Sequence, residues 1–210
     1  MMKIAGIYLA AGSSRRMGTD KRMLPFGGKP LGSIALKQAL LSRLDHMFVV
    51  TRQGDRLDWL PDPFFKTWGP QMWTHLECPD ADKGQGFSLS SGVKKAAEYG
   101  ADAVLVLLAD QPFVTFKIID TLINSFIKIP TRFIGALGPR GNPMPPILFS
   151  SECFSLFEKL EGDRGLRELL RGELKAFGRA IDFRNPQLFC DIDTMDDYIA
   201  LLEKLEERDN

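Results

Sequence analysis

Ala103-Val104-Leu105-Val106-Leu107-Leu108-Ala109, followed at once by Asp110, is the longest strongly apolar run in the chain. It has strand length, and it does not alternate between apolar and polar residues. Such a run suits a central strand covered on both faces, as parallel sheets with helices on either side require. A second apolar run, Ile4 to Ala11, ends in the glycine loop at Gly12. Around these two, strand-like and helix-like stretches alternate. Leu31 to Leu41 carries apolar residues at helical spacing, Met47 to Thr51 is a short apolar strand, and Ser88 to Tyr99 reads as a helix. Thr115 to Ile127 reads as a helix with Thr115 as its cap. Phe133 to Leu137 and Pro146 to Phe149 read as strands around a Gly/Pro loop. Cys153 to Leu160 and Arg164 to Arg171 read as short helices. Phe177 to Phe183 is the last strand and Met195 to Glu207 an amphipathic helix. Leu57 to Trp73, rich in proline and aromatics, reads as loops with one short helix.

Alternation of this kind implies an α/β fold with a mostly parallel, doubly wound sheet between two helix layers. Ligands in such sheets bind beyond the carboxyl ends of the strands, where the strand order reverses. The loops after Ala11 and Ala109 are therefore where chemistry is expected. No linker divides residues 1–210, so one domain is expected, with residues 138–175 as an acceptor-side, lid-like insert.

Composition removes several function classes. The 210 residues include 27 Lys+Arg and 27 Asp+Glu, which leaves no net charge to drive nucleic-acid or anionic-membrane binding. Charged residues at 26% and aromatics at 10% fit a folded protein rather than a disordered one. Three scattered cysteines and two histidines provide neither a disulfide framework nor a structural zinc site. The longest apolar run is too short to span a membrane. Ile4 to Ala11 reads as a strand rather than a signal-peptide core, because cations follow it closely. The expected location is the cytoplasm.

Four segments carry chemistry. Leu9-Ala10-Ala11-Gly12-Ser13-Ser14-Arg15-Arg16-Met17-Gly18-Thr19-Asp20-Lys21 places small residues and three cations directly after the first strand. Backbone N–H groups and cations gathered there suit a polyphosphate. The loop has neither the GxxxxGK[ST] nor the GxGxxG spacing. Gly84-Gln85-Gly86-Phe87-Ser88, ahead of a helix, offers N–H donors and a hydroxyl for a base or ribose; alone, it also reads as a plain loop and cap. Asp110, at the end of the most apolar strand, is placed to hold Mg²⁺ on a nucleotide, or to start an ordinary Asp-Gln-Pro turn. Asp191-Ile192-Asp193-Thr194 puts two carboxylates on one side of an extended segment, with helix capping as its competing role.

Together these segments resemble the MobA-like nucleotidyltransferases of molybdenum cofactor biosynthesis. The nearest branch is the cytidylyltransferase (MocA-like) type, with the accessory proteins of molybdenum hydroxylases such as xanthine dehydrogenase. LAAGSSRRMGTDK is similar to the family's LAAGxSxRMGxxK signature, LLADQPF to its metal-binding aspartate segment, and Gly84, Ser88 and Gly92 to its base-contacting helix start. Glu161-Gly162-Asp163-Arg164-Gly165 resembles its GDxGxR segment, and DIDT its final carboxylate motif. The chain departs from the family at Gly141-Asn142-Pro143, where a histidine often replaces the asparagine.

The resemblance implies a Rossmann-like nucleotide-diphospho-sugar transferase fold and transfer of CMP from CTP, or GMP from GTP, to molybdopterin with release of pyrophosphate. Lys21 and Arg15 would act catalytically. Leu9, Ala10, Ala11, Gly12, Ser13, Arg16, Gly18, Gly84 and Ser88 would bind the nucleotide. Asn142, Asp163 and Arg164 would face the acceptor. Asp110 and Asp193 would hold Mg²⁺, with Asp191 in reserve. Ala11, glycine in GTP-using relatives, favours CTP, because its methyl group narrows the space beside the base. A molybdenum hydroxylase is the implied partner, with no role for nucleic acid or membrane. Transfer to another phosphorylated acceptor, such as a sugar phosphate or methylerythritol phosphate, and a non-catalytic cofactor-binding role remain alternatives.

Overall fold

The computed structural model describes residues 2–14, 16–139, 141–160, 162 and 165–209. The chain opens with β1 (Ile4–Leu9), the glycine loop, a short ladder of β2 (Pro25–Phe26) with β3 (Lys29–Pro30), and α1 (Leu31–Leu40). Next come β4 (His46–Arg52), α2 (Gly69–Met72), β5 (Trp73–Cys78), α3 (Gln85–Glu98) and β6 (Ala103–Leu108). The second half holds α4 (Phe116–Lys128), β7 (Phe133–Leu137), β8 (Pro143–Ser150), α5 (Phe154–Phe157), α6 (Leu166–Arg171), β9 (Gly178–Ile181) and α7 (Met195–Asp209).

Among the described residues, seven strands form one sheet in the order β5-β4-β1-β6-β8-β7-β9. All run in one direction except β8, which pairs antiparallel with both β6 and β7. From β1 the chain moves outward to β4 and β5, then returns to lay β6 on the other side of β1. The order thus reverses between β1 and β6, which creates a crevice at their carboxyl ends. Their ends are level, because Leu9 lies opposite both Val50 of β4 and Leu108 of β6.

Side-chain alternation explains why the two central strands are apolar throughout. Along β6, Leu105 and Leu107 join Tyr8, Leu36 and Ile119 on one face. Val104 and Val106 join Ile7, Leu89 and Phe149 on the other. Helices α1 and α4 thus cover one face and α3 the other. No helix among the described residues is long and apolar enough to cross a membrane.

Several expected boundaries move. The Leu57–Trp73 stretch ends at an additional strand, β5, which the sequence conceals because Thr74, His75 and Glu77 interrupt its apolar pattern. This edge strand is stabilised partly by polar cross-strand contacts, His46 Nε2 with Thr74 Oγ1 at 2.8 Å and Thr51 Oγ1 with His75 Nε2 at 2.7 Å. Helix α3 begins at Gln85, so Ser88 sits inside it rather than at its cap. Thr115 occupies the cap of α4 but donates or accepts no capping hydrogen bond through its side chain. The described residues of the 138–175 stretch supply β8 to the sheet, and Phe149, Phe157 and Leu174 to the core.

Close packing of α3 onto the sheet depends on Gly92. A Cβ there would lie 2.6 Å from Ile7 Cγ2 and 3.2 Å from Val50 Cγ2. Both neighbours are β-branched methyls held in the core, so they have little room to yield. Gly92→Ala should therefore lower stability by about 1–3 kcal/mol, the usual cost of overpacking. Urea unfolding measures this, and an unchanged midpoint would contradict the packing described.

Candidate active site

A cavity of about 540 Å³ opens at the carboxyl ends of β1, β4 and β6. Leu9, Ala10, Ala11, Gly12 and Ser13 line it, with Asp110 and its partner Lys21 from the β6 side and Ala81, Asp82, Gly84, Gln85 and Ser88 from the segment after β5. Among the described residues, a Cβ on Gly12 would meet nothing within 4 Å, so the backbone there borders open space. The loop then turns through Ser14 (φ 48°) and Gly18 (φ 67°), both in the left-handed region. Ser14 Oγ accepts from Lys21 N at 3.2 Å, which closes the loop on itself.

Lys21 is the junction of the site. Its Nζ donates to Asp110 Oδ2 at 2.6 Å, to the Ile192 carbonyl at 2.9 Å and to Asp193 Oδ1 at 3.4 Å. Three segments distant in sequence therefore share one ammonium. The Lys21 and Asp110 side chains are only 13% and 19% exposed, so water screens this contact weakly. The other oxygen, Asp110 Oδ1, is buried and accepts no hydrogen bond among the described residues. Arg16 Nη2 lies 3.1 Å from Asp193 Oδ2, on an exposed side chain.

Asp193 is available to Lys21 because other groups cap α7. Thr194 Oγ1 accepts from Asp197 N at 3.2 Å, while Asp197 Oδ2 accepts from Thr194 N at 2.8 Å. This reciprocal pair is a capping box with aspartate in the acidic position. A small core of Met17, Phe26, Leu31, Ile192, Tyr198 and Leu201 fastens the glycine loop to the start of α7. Tyr198 also donates its hydroxyl to the Pro25 carbonyl. Backbone pairing of Ile192 N with Asp110 O at 3.0 Å sets the final segment against the end of β6.

Asp191 faces a different partner. Its outer surface is exposed, but Oδ1 accepts from Gln111 Nε2 at 2.9 Å, and Gln111 is buried. Desolvation of the carboxyl and the nearby Asp110 charge push its pKa up to about 6; the Gln111 hydrogen bond and Lys21 pull it back.

Arg22 was not anticipated. The tripeptide Asp20-Lys21-Arg22 carries no signal to separate a buried cation from a solvated one. Yet the Arg22 guanidinium is buried: Nε and Nη2 donate to Asp20, and Nη1 donates to Asp55 Oδ2 and, at 2.8 Å, to the Ala10 carbonyl. It also lies 5.3 Å from the Trp59 ring centre. Arg22 thereby ties the end of β1 to the loop after β4, while Lys21 points into the cavity.

The remaining expected residues divide. Gly84 and Ser88 line the cavity, with Ser88 buried in the first turns of α3. Gly18 and Arg16 lie on the loop but outside the cavity lining. Asn142 precedes β8, where its carbonyl accepts from Gly138 N at 2.9 Å, away from that lining. Arg15, Asp163 and Arg164 lie outside the described residues. Among the described residues, no group of three His, Cys, Asp or Glu side chains is arranged to hold a metal alone.

The Asp191 environment predicts its titration. In nucleotide-free protein, NMR should place the midpoint near 6, and Asp110→Asn should lower it by removing the like charge. A raised native pKa means the folded state holds the proton more tightly. Asp191 should then weaken the fold as pH rises from the ordinary aspartate range through 6. A midpoint in the ordinary aspartate range would contradict this arrangement.

Comparison with known proteins agrees with this architecture. The chain is 41% identical over 200 residues to the purine catabolism protein PucB of Bacillus subtilis, covering 93% of this chain and 94% of that one. It is 33% identical over 129 residues to a probable molybdenum cofactor guanylyltransferase of Mycolicibacterium paratuberculosis, covering 59% and 57%. A solved nucleotidyl transferase from Methanothermobacter thermautotroptrophicus superposes with a TM-score of 0.76 over 99% of both chains at 21% identity, a likeness of fold. The MobA-like NTP transferase domain matches residues 6–178, so the chain belongs to that nucleotidyltransferase family and shares its Rossmann-like three-layer fold.

Proposed function

We propose that this chain is a Mg²⁺-dependent cytidylyltransferase that moves CMP from CTP onto the phosphate of a molybdopterin-type acceptor. The observation that carries this reading is the Lys21 junction: one ammonium shared by two carboxylates, beside a loop of small residues bordering open space. That combination handles a triphosphate. The loop's N–H groups and Lys21 bind phosphate oxygens, and the carboxylates are hard oxygen ligands.

Asp110 and Asp193 would hold the metal. The buried Oδ1 of Asp110 has no partner among the described residues, which suits a cation, and Mg²⁺ commonly takes one or two carboxylates with phosphates and water completing its shell. Bound there, the ion would neutralise charge on the reacting phosphates. The protein's part is positioning and charge. An acceptor phosphate oxygen attacks the α-phosphorus, the bond to the β-phosphate bridging oxygen breaks, and pyrophosphate leaves. Lys21, already within reach of both carboxylates, offsets the charge at the α-phosphate and leaving group. Arg15 would assist from the same loop, and Arg16 would bind phosphate from its exposed position. Gly84 and Ser88 would contact the base, and Asn142, Asp163 and Arg164 the acceptor.

Ala11 lines the cavity and supports CTP over GTP, because its methyl reduces room for a purine. The probable guanylyltransferases among the relatives favour a second reading, GMP transfer. The similarity to PucB, named for purine catabolism, supports a purine-oxidising molybdenum hydroxylase such as xanthine dehydrogenase as recipient.

Pyrophosphate release with each nucleotide and purified molybdopterin tests the proposal. CTP should give the higher kcat/KM than GTP, and Lys21→Ala should lower turnover about 100-fold or more in folded protein. A GTP preference would move the chain to the second reading. Wild-type turnover in Lys21→Ala would remove Lys21 from the reacting centre.

A further inference from the structure

The cavity has a direction that the strand order sets. Its phosphate-handling end lies on the β6 side of β1, with Asp110 and Lys21. Its opposite end extends past β4 to the Ala81–Ser88 segment after β5. Arg52, the last residue of β4, lines the cavity on this second side. The backbone holds it there: Ala10 N donates to the Val50 carbonyl at 2.9 Å, locking β1 to the end of β4.

Among the described residues, the Arg52 guanidinium has no ion pair within 4.0 Å. Its charge influences Asp20, yet both Asp20 oxygens already accept from Arg22, and Asp55 is likewise taken by Arg22. Asp20 and Asp55 are thus committed to the buried arginine, and the half-buried one lines the cavity with no carboxylate within 4.0 Å among the described residues. An arginine fork donates and never accepts, and it matches two adjacent acceptor atoms in a plane. Cytosine offers O2 and N3, and guanine offers O6 and N7. Uracil puts N3–H between its carbonyls, and adenine sets its N6 amine beside N7, so each presents a proton to the fork. Asp82, which lines the same end, supplies an acceptor for an amine such as cytosine N4.

We infer that Arg52 is a specificity-determining residue that reads the base and restricts the nucleotide to cytosine or guanine, excluding uracil and adenine. This rests on the nucleotidyltransferase reading of the cavity. Calorimetric titration of the whole chain with CTP, GTP, UTP and ATP, each with Mg²⁺, tests it. CTP or GTP should bind about tenfold or more tightly than UTP and ATP, the scale of one well-made bidentate contact. Arg52→Gln should bring the four within a few-fold of each other, and Arg52→Lys should restore little, because an ammonium lacks the planar fork. Equal weakening of all four nucleotides in Arg52→Gln would mark a phosphate contact and overturn the inference. So would wild-type protein that binds the four alike, a result independent of how well any variant folds. Binding of none of the four would instead overturn the nucleotide reading itself.

Discussion

The contact on which the site depends is the one between Lys21 Nζ and Asp110 Oδ2, at 2.6 Å. It joins the loop after β1 to the loop after β6, the two strands between which the sheet order reverses. The Ile192 carbonyl and Asp193 complete the ring of acceptors around the same ammonium. A mostly buried ion pair is a poor source of stability, because desolvation offsets much of its Coulombic attraction. Its value lies in position. Without a ligand, the lysine is kept at the cavity mouth by the carboxylates that would take up the metal. A triphosphate with its cation offers both sides better partners, so binding can exchange one set of charge contacts for another without exposing a bare charge.

Two arginines show how the surroundings divide the work. Arg22 is sunk beneath the loop, saturated by Asp20, Asp55 and the Ala10 carbonyl, and it anchors backbone. Arg16 is exposed on the loop and, among the described residues, ion-pairs with Asp193. Lys21, between them in sequence, points into the cavity. The alternation of buried and exposed cations turns one charge into the cavity and uses another to keep the loop's shape.

Much of this was legible from residue order, for a physical reason. β1 and β6 are covered on both faces, so both sides of each strand are apolar, and the unbroken runs announce a central position. Asp110 stood out as a charge that ends an apolar run, Lys21 as a cation in the small-residue loop after the first strand, and Asp193 as one of two carboxylates alternating about Ile192. β5 did not stand out, since an edge strand with polar cross-strand partners breaks the apolar pattern. Nor did the role of Gly92. It lies in the segment that resembles a base-contacting helix start, yet its position against Ile7 makes it a packing residue. Arg22 and the Asp191–Gln111 pair were hidden because their burial depends on tertiary neighbours far away in sequence. The Asn142 turn was likewise hidden, because its carbonyl accepts from Gly138 N only once β7 and β8 pair.

The central claim is that Asp110, Asp193 and Lys21 form the reacting centre around a metal–triphosphate complex. Crystals of the chain grown with CTP and Mn²⁺, with anomalous scattering locating the ion, test this most directly. The account predicts a manganese peak within about 2.5 Å of carboxylate oxygens of Asp110 and Asp193. The triphosphate should run from that ion toward the Ala10–Ser13 loop, with Lys21 Nζ on phosphate oxygens. A triphosphate seated in the cavity with its ion remote from both aspartates, and Lys21 still on Asp110, would contradict it.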